Sequence, residues 1–298
     1  MIVCVGNPVY DIIETPSVRT DGRILSGCST HAAIVLSQLE EKVGLVGCIG
    51  EDLKRDFLSQ MERRNIEAHA LSSKATGGFH LIYDEKGNRE LFILGIADSI
   101  ETIPSHFLLA DLILFGPILS EISLRFIDEV KERTDARLFL DPQGFTRMVA
   151  GKSVEKFTPP NMKDIVSRFH IVKPNEHEAK IMTGFDGREH PRAACEVLYS
   201  WGTDVAIVTR AEAGSVVYDG HEFFLIPAYT TTAKDPTGAG DTYAAGFIHA
   251  YLQKKALFWC GLFASCVASF WVENVGPDIF ISKTMVIRRM RDLHEQKD

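Results

Sequence analysis

Short runs of β-forming residues alternate with helical segments along most of the chain, and that alternation limits the fold more than any other feature. Ile2–Val5, Val43–Val46, Leu112–Phe115, Arg137–Leu140, His170–Val172 and Val205–Thr209 read as short strands buried on both faces. Between several of them lie helix-like segments at His31–Leu39, Leu53–Arg63, Leu124–Arg133, Glu176–Met182 and Arg192–Tyr199. The pattern predicts βαβ units, hence an α/β fold with a mostly parallel central sheet and helices on both faces. From Ala239 onward it becomes mostly helical.

One stretch breaks the alternation. Phe79–Tyr83 and Glu90–Leu94 flank Asp84-Glu85-Lys86-Gly87-Asn88, where Gly and Asn suit positive φ, and this predicts a β-hairpin inserted into the α/β body. A second, strand-poor insert at Glu14–Leu25 has room to lie beside it. Such inserts either form a small β lid over a site at the sheet's carboxyl edge or are ornamental. No repeat or low-complexity linker divides the chain, so a single domain over residues 1–298 is expected, with the lid drawn from about 12–25 and 75–100.

Composition narrows the partners. The formal net charge of -8 gives no general support to a nucleic-acid partner, so positive potential toward an anionic ligand must be local. Cys4, Cys28, Cys48, Cys195, Cys260 and Cys266 contain no C-x-x-C pair, which indicates neither a zinc site nor a disulfide framework and suits a reducing cytoplasm. Met1-Ile2-Val3-Cys4-Val5-Gly6 runs directly into a strand, without the basic start of a leader peptide. Residues 256–272 are uncharged and apolar, near the lower limit for spanning a bilayer, but Gly261, Ser265 and Ser269 and the following Glu273 favour a buried core helix over a membrane span. A cytoplasmic protein without a membrane partner is expected. The chain leaves its state, monomer or homodimer, open.

The chemistry concentrates in Asp235-Pro236-Thr237-Gly238-Ala239-Gly240-Asp241-Thr242, which leads into an apolar helix beginning near Ala239. Two glycines around an alanine let a ligand approach the backbone closely, and the N–H groups at the helix start, with its dipole, make an anion hole. A bare Gly-x-Gly-Asp would be explained as well by an acidic residue capping a helix after a turn. The longer string, with Ala244-Ala245-Gly246-Phe247 behind it, closely resembles the signature of the PfkB/ribokinase family of carbohydrate and nucleoside kinases.

The resemblance covers nearly the whole chain. Gly6-Asn7-Pro8-Val9-Tyr10-Asp11 is similar to the family's first strand and substrate-binding Asp, Val46-Gly47-Cys48-Ile49-Gly50-Glu51-Asp52 to its first signature, and the loop around Gly27 to its Gly-rich substrate loop. Lys173-Pro174-Asn175-Glu176-His177-Glu178 resembles the Asn-x-x-Glu element that organises Mg²⁺ and phosphates through water. Val208-Thr209-Arg210-Ala211-Glu212-Ala213-Gly214 occupies the place of the nucleotide-binding turn. The resemblance implies a ribokinase-like fold and an ATP-dependent transfer of the γ-phosphoryl group to a small sugar or polyol. Asp241 would be the general base, and Gly238, Ala239 and Gly240 would stabilise charge on the phosphoryl oxygens. It implies ATP contacts from Asn175, Thr209, Gly214, Thr237, Gly238 and Gly240, and Mg²⁺ held through water by Asn175 and Glu178. A monovalent cation near Asp235 is implied by the family alone.

The substrate end departs from the family pattern. In Ser26-Gly27-Cys28-Ser29-Thr30-His31 one glycine has become Ser26, and His31 stands where an Asn is usual. Ala211 replaces a usual glycine in the nucleotide turn. Asp141-Pro142-Gln143-Gly144-Phe145-Thr146-Arg147 follows a central strand, where open α/β sheets place ligand contacts, and resembles the myo-inositol kinase-like branch. Candidate substrate residues are therefore Asn7, Asp11, Gly27, His31, Gln143 and Arg147, although a turn held by Asp141 and Gly144 explains the last segment about as well. Arg147 and Arg89 are the cations that a phosphorylated substrate would call on. Three readings stay open: a polyol or sugar kinase with an inositol-like acceptor, a nucleoside or sugar-phosphate kinase of the same fold, and a non-catalytic ligand-binding relative. The intact Asp241 and anion hole weigh against the last.

Overall fold

The computed structural model describes residues 1–16, 18–84 and 89–295. Its strands, in chain order, are β1 (Ile2–Val5), β2 (Val9–Glu14), β3 (Ile24–Ser26), β4 (Val43–Gly50), β5 (Ile66–Ser73), β6 (Gly78–Tyr83), β7 (Arg89–Gly95), β8 (Leu112–Phe115), β9 (Arg137–Leu140), β10 (Arg147–Ala150), β11 (Ser153–Lys156), β12 (Ile171–Val172), β13 (Val205–Thr209), β14 (Ser215–Tyr218) and β15 (Phe223–Ile226). The α-helices are α1 (Cys28–Gln38), α2 (Glu51–Arg63), α3 (Leu124–Lys131), α4 (Met162–Val166), α5 (Glu176–Thr183), α6 (Pro191–Ser200), α7 (Ala239–Leu252), α8 (Leu257–Val272) and α9 (Lys283–Glu295).

A large sheet in the order β15-β14-β13-β12-β9-β8-β1-β4-β5 forms the body. From β13 to β5 every pairing is parallel, and the β14–β15 hairpin adds an antiparallel edge. The apolar run of β1 has a physical reason: its residues alternate between two cores, Ile2 and Cys4 facing one side and Val3 and Val5 the other, so no position can be polar. The first core packs α1, α7 and α8 on the sheet, and the second packs α3, α4, α5 and α6. All six cysteines are buried as free thiols. The result is an α/β body with a large mixed, mostly parallel sheet, as the expected ribokinase-like fold requires.

Helix α8 is the segment whose hydrophobicity suggested a choice between core and bilayer. It packs along α7 with Gly246 at the crossing, where a Cβ would come within 2.8 Å of Ala264 Cα. Sixteen residues reach only about 24 Å, and no helix among the described residues is long and apolar enough to cross a membrane.

A smaller sheet, in the order β10-β11-β7-β6-β2-β3, stands at the carboxyl edge of the large one. It contains the hairpin expected from Phe79–Tyr83 and Glu90–Leu94, now β6 and β7, paired antiparallel. Residues 85–88, where the Gly-Asn turn was expected, lie outside the described residues, as does the side chain of Arg89. The expected lid segments, 12–25 and 75–100, leave out two members of this sheet. Strands β10 and β11 join it from directly after β9, and β11 meets β7 through the Ser153–Phe92 pairing. Their residues are mostly half-exposed and do not alternate, so their pattern did not mark them as strands. Val9, Ile13, Cys28, Phe79, Leu81, Tyr83 and Ile118 form an apolar cluster joining this sheet to the body.

Candidate active site

Three strand ends, two helix starts and the small sheet converge. Asp141 directly follows β9, Lys173 directly follows β12 and Asn7 closely follows β1, all at the carboxyl edge of the parallel sheet, where such sheets place ligands. Helices α1 and α7 enter the same region from the glycine turns at Gly27 and Gly238.

Gly238 adopts the left-handed conformation with φ of 85°, which any side chain would strain. A Cβ there would also lie 2.6 Å from His31 Nδ1 and 2.8 Å from Trp271 Nε1, so both conformation and space demand glycine. The turn is braced by Asp235, whose Oδ1 accepts the Thr237 N–H at 2.8 Å, and by Trp271, whose Nε1–H donates to the Thr237 carbonyl at 2.8 Å. Ala239 donates its N–H to the Pro236 carbonyl at 3.2 Å, so this group closes the turn instead of facing outward as expected. The N–H groups of Gly240 and Asp241 fall in the first turn of α7, where the helix has no internal acceptor for them.

Asp241 is nearly buried, and its Oδ2 lies 2.9 Å from Nδ1 of the buried His31. Burial raises its carboxyl. The hydrogen bond and charge of His31, with the charge of Lys173, more than offset this and hold Asp241 below the ordinary carboxylate range. Cys28 sits alongside, its Sγ and carboxylate oxygens of Asp141 and Asp241 all within 4.8 Å of one another. Burial and the two carboxylates push that thiol well up, so it stays protonated and inert as a nucleophile.

Lys173 is the site residue that the sequence reading passed over, although a lysine ending a buried strand was visible. Its Nζ pairs with Asp141 Oδ2 at 2.8 Å, and both side chains are almost wholly buried, at 2% and 4% exposure. Burial alone would discharge the lysine, yet Asp141 and Glu178 outweigh it and raise its pKa above the usual lysine value. Glu178 is pushed up by burial and by Asp141. Asn175 and Glu178 form a full capping box on α5. Asn175 Oδ1 accepts the N–H groups of His177 and Glu178, both at 2.9 Å, and Glu178 Oε2 accepts the Asn175 N–H at 2.9 Å. Both bonds to Asn175 Oδ1 hold the helix, while the Glu178 carboxylate also faces Lys173 and Asp141. Thr209 bridges to Asn175, its N–H bonding the Pro174 carbonyl at 3.1 Å, and Gly214 closes the following turn by accepting the Arg210 N–H at 2.8 Å.

The substrate candidates divide. His31 joins Asp241 directly, and Gly27, with φ of 114°, starts the same helix and accepts the His31 N–H at 2.8 Å. Asp11 is buried, accepts the Phe79 N–H at 2.7 Å, and has its carboxyl raised mainly by that burial. Arg147 Nη2 donates to Gln143 Oε1 at 2.7 Å and its Nη1 to the Ile118 carbonyl at 3.2 Å, close enough to Glu178 for the charges to interact. Asn7 belongs to a different set of contacts. Its Oδ1 accepts the Cys48 N–H at 2.7 Å and its Nδ2 donates to the Asp98 carbonyl at 2.9 Å, tying strands together. Two further residues had no sequence signal at all. Tyr83 of β6 bonds Thr237 Oγ1 through its hydroxyl at 2.9 Å, linking the small sheet to the glycine turn, and Trp271 stacks obliquely on His31 with ring centres 5.0 Å apart.

Residues 1–284 match the pfkB family carbohydrate kinase family, and the chain belongs to it. It is therefore a phosphotransferase by family. A cytidine kinase of Thermococcus kodakarensis is 29% identical over 268 residues, covering 87% of this chain and 91% of that one. A pyrophosphate-dependent kinase of the ribokinase family, solved with a pyrophosphate analog and myo-inositol, superposes with a TM-score of 0.81 at 21% identity over 99% of this chain and all of that one. The Arabidopsis thaliana ribokinase solved with ribose and ATP gives 0.77 at 19% identity over 97% and 98% of the two chains.

Proposed function

We propose that this chain is an ATP-dependent kinase of a small polyhydroxylated ring, a sugar or a cyclitol of the myo-inositol kind, with Asp241 as general base. The observation that carries the reading is Asp241 itself: a carboxylate held ionised inside the protein, in the first turn of a helix that opens on a glycine turn. The acceptor hydroxyl gives its proton to Asp241 while its oxygen forms a bond to the γ-phosphorus. The bond from that phosphorus to the bridging oxygen breaks, and ADP leaves with the electron pair. The N–H groups of Gly240 and Asp241, with the Lys173 charge nearby, oppose the negative charge that builds on the phosphoryl oxygens.

The hard oxygen donors at the start of α5 suit Mg²⁺, which when bound neutralises phosphate charge. Glu178 is the residue we assign to its water shell, beside Asp141, whereas Asn175 serves mainly to fix the helix that carries Glu178. Asp235 accepts the Thr237 N–H and also bonds the backbone of Gly276, so it orders the loop that a monovalent cation would adjoin. On the acceptor side, Asp11, Gln143 and Arg147 are polar groups suited to ring hydroxyls. The small sheet acts as a lid, its Tyr83–Thr237 bond closing it over the base. A phosphorylated acceptor would call on Arg147, since Arg23 donates to the carbonyls of Tyr10 and Gly77.

A nucleoside acceptor is the second reading. The cytidine kinase relative favours it. Assays of ATP–Mg²⁺ and pyrophosphate–Mg²⁺ against myo-inositol, ribose, hexoses, cytidine and fructose phosphates decide among these. Turnover of myo-inositol or a hexose with ATP is expected. A preference for cytidine would replace the polyol reading, and activity with pyrophosphate alone would replace the donor.

A further inference from the structure

We infer that His31 is the positioning residue of the general base, holding Asp241 through an Nδ1–H···Oδ2 hydrogen bond so that the other carboxylate oxygen faces the acceptor hydroxyl. The inference rests on the assignment of Asp241 as base. An ionised carboxylate can only accept, so a 2.9 Å contact between Nδ1 and Oδ2 places the proton on Nδ1. The residue is held at its backbone and on two sides of its ring. Its backbone N–H bonds Gly27, Trp271 packs obliquely at 5.0 Å, and Gly238 abuts Nδ1 so closely that no Cβ fits between them. One side chain thus joins the first turn of α1, the glycine turn and the base. The family's usual Asn at this position explains why histidine is tolerated there: the Nδ1 of a histidine and the Nδ2 of an asparagine occupy the same place two bonds beyond Cβ. The departure from the pattern therefore keeps the donor while adding a ring that Trp271 can clamp.

The remaining titratable groups around this pair are Asp11 from β2, Cys28 on the same helix, Asp141 after β9, Lys173 after β12 and Asp235 before α7. Of these, Lys173 shares with His31 the task of keeping Asp241 ionised, so loss of His31 raises the Asp241 carboxyl without abolishing its charge at neutral pH.

The test uses full-length protein with His31 replaced by Ala, Gln or Asn. Turnover is followed with ATP–Mg²⁺ and each of myo-inositol, ribose and cytidine, and the Asp241 carboxyl is titrated by ¹³C NMR of aspartate-labelled protein, with Asp241→Asn assigning the signal. H31A and H31Q should lower kcat by up to about 100-fold with an unchanged KM for ATP, the scale of a displaced catalytic group. Both should also move the Asp241 titration, and the acid limb of kcat/KM, to higher pH. H31N, which keeps the donor but not the charge, should restore turnover and bring the titration part of the way back. H31Q fills the ring's volume and carries the test if H31A does not fold. An Asp241 titration that stays put in H31A and H31Q overturns the inference. So does a rise in acceptor KM alone, which would make His31 a substrate ligand. Failure of the base assignment looks different: Asp241→Asn would keep its turnover.

Discussion

Helices α5 and α7 both begin at the carboxyl edge of the large sheet, yet they treat their first backbone N–H groups in opposite ways. Asn175 and Glu178 satisfy the start of α5 reciprocally, so that end is complete by itself. Helix α7 starts from a left-handed glycine with no side-chain cap, and the carboxylate in its first turn is drawn aside to His31. A capped helix start is a structural fitting worth about 1 kcal/mol. An uncapped one beside a glycine turn presents its N–H groups and positive dipole end to an anion. Asp141 and Lys173 lie between the two and join them electrostatically, since Lys173 acts on both Glu178 and Asp241.

The contrast breaks most visibly at α7. Asp241→Asn should lower kcat by ~10²–10⁴-fold while calorimetric binding of ATP–Mg²⁺ stays near the parent value. Turnover at the parental rate would leave α7 no more than a structural helix. The same carboxylate contributes to stability in a definite pH window. Its folded pKa is depressed, so the contribution is present above the unfolded value near 3.8 and is lost as pH falls below it. The variant should accordingly lose less stability than the parent on acidification, read from thermal midpoints across that range.

Gly238→Ala should destabilise the fold by about 2–5 kcal/mol, combining a left-handed alanine with overpacking against His31 and Trp271, and should also depress turnover. A variant as stable and active as the parent would mean that the turn is not tightly built. On the α5 side, Asn175→Ala should cost about 1 kcal/mol in denaturant unfolding with only a modest rise in the KM for ATP–Mg²⁺. A large kinetic effect at unchanged stability would give Asn175 a direct part in the phosphate site. The smallest effect belongs to Ala211, which sits at φ of 48° where the family usually has glycine. Ala211→Gly should relieve about 1 kcal/mol of left-handed strain. Unchanged stability would show that the strain is absorbed by the surrounding turn.

Much of this was legible beforehand. Each apolar run read as a strand is one, because parallel strands covered on both faces leave little room for polar residues, and the glycine string before Asp241 marked the turn that starts α7. The small strands β10 and β11 were not legible, since an exposed strand paired to a partner distant in sequence has no compelling pattern.

The site divides along the same line. Local chemistry alone determined the glycine turn, the helix that follows it and the carboxylate in its first turn, because those depend on neighbours a few residues away. Resemblance to the family marked Asn175 and Glu178 as a pair, and the structure adds that they cap a helix start. Only the tertiary structure decided which group holds Asp241, because His31 lies 210 residues away along the chain. It decided as well that Asn7 ties strands together and that Lys173, paired with Asp141, keeps a buried positive charge. Hydrogen bonds and ion pairs between distant segments are set by how the two cores dock, and a linear pattern carries no record of that docking.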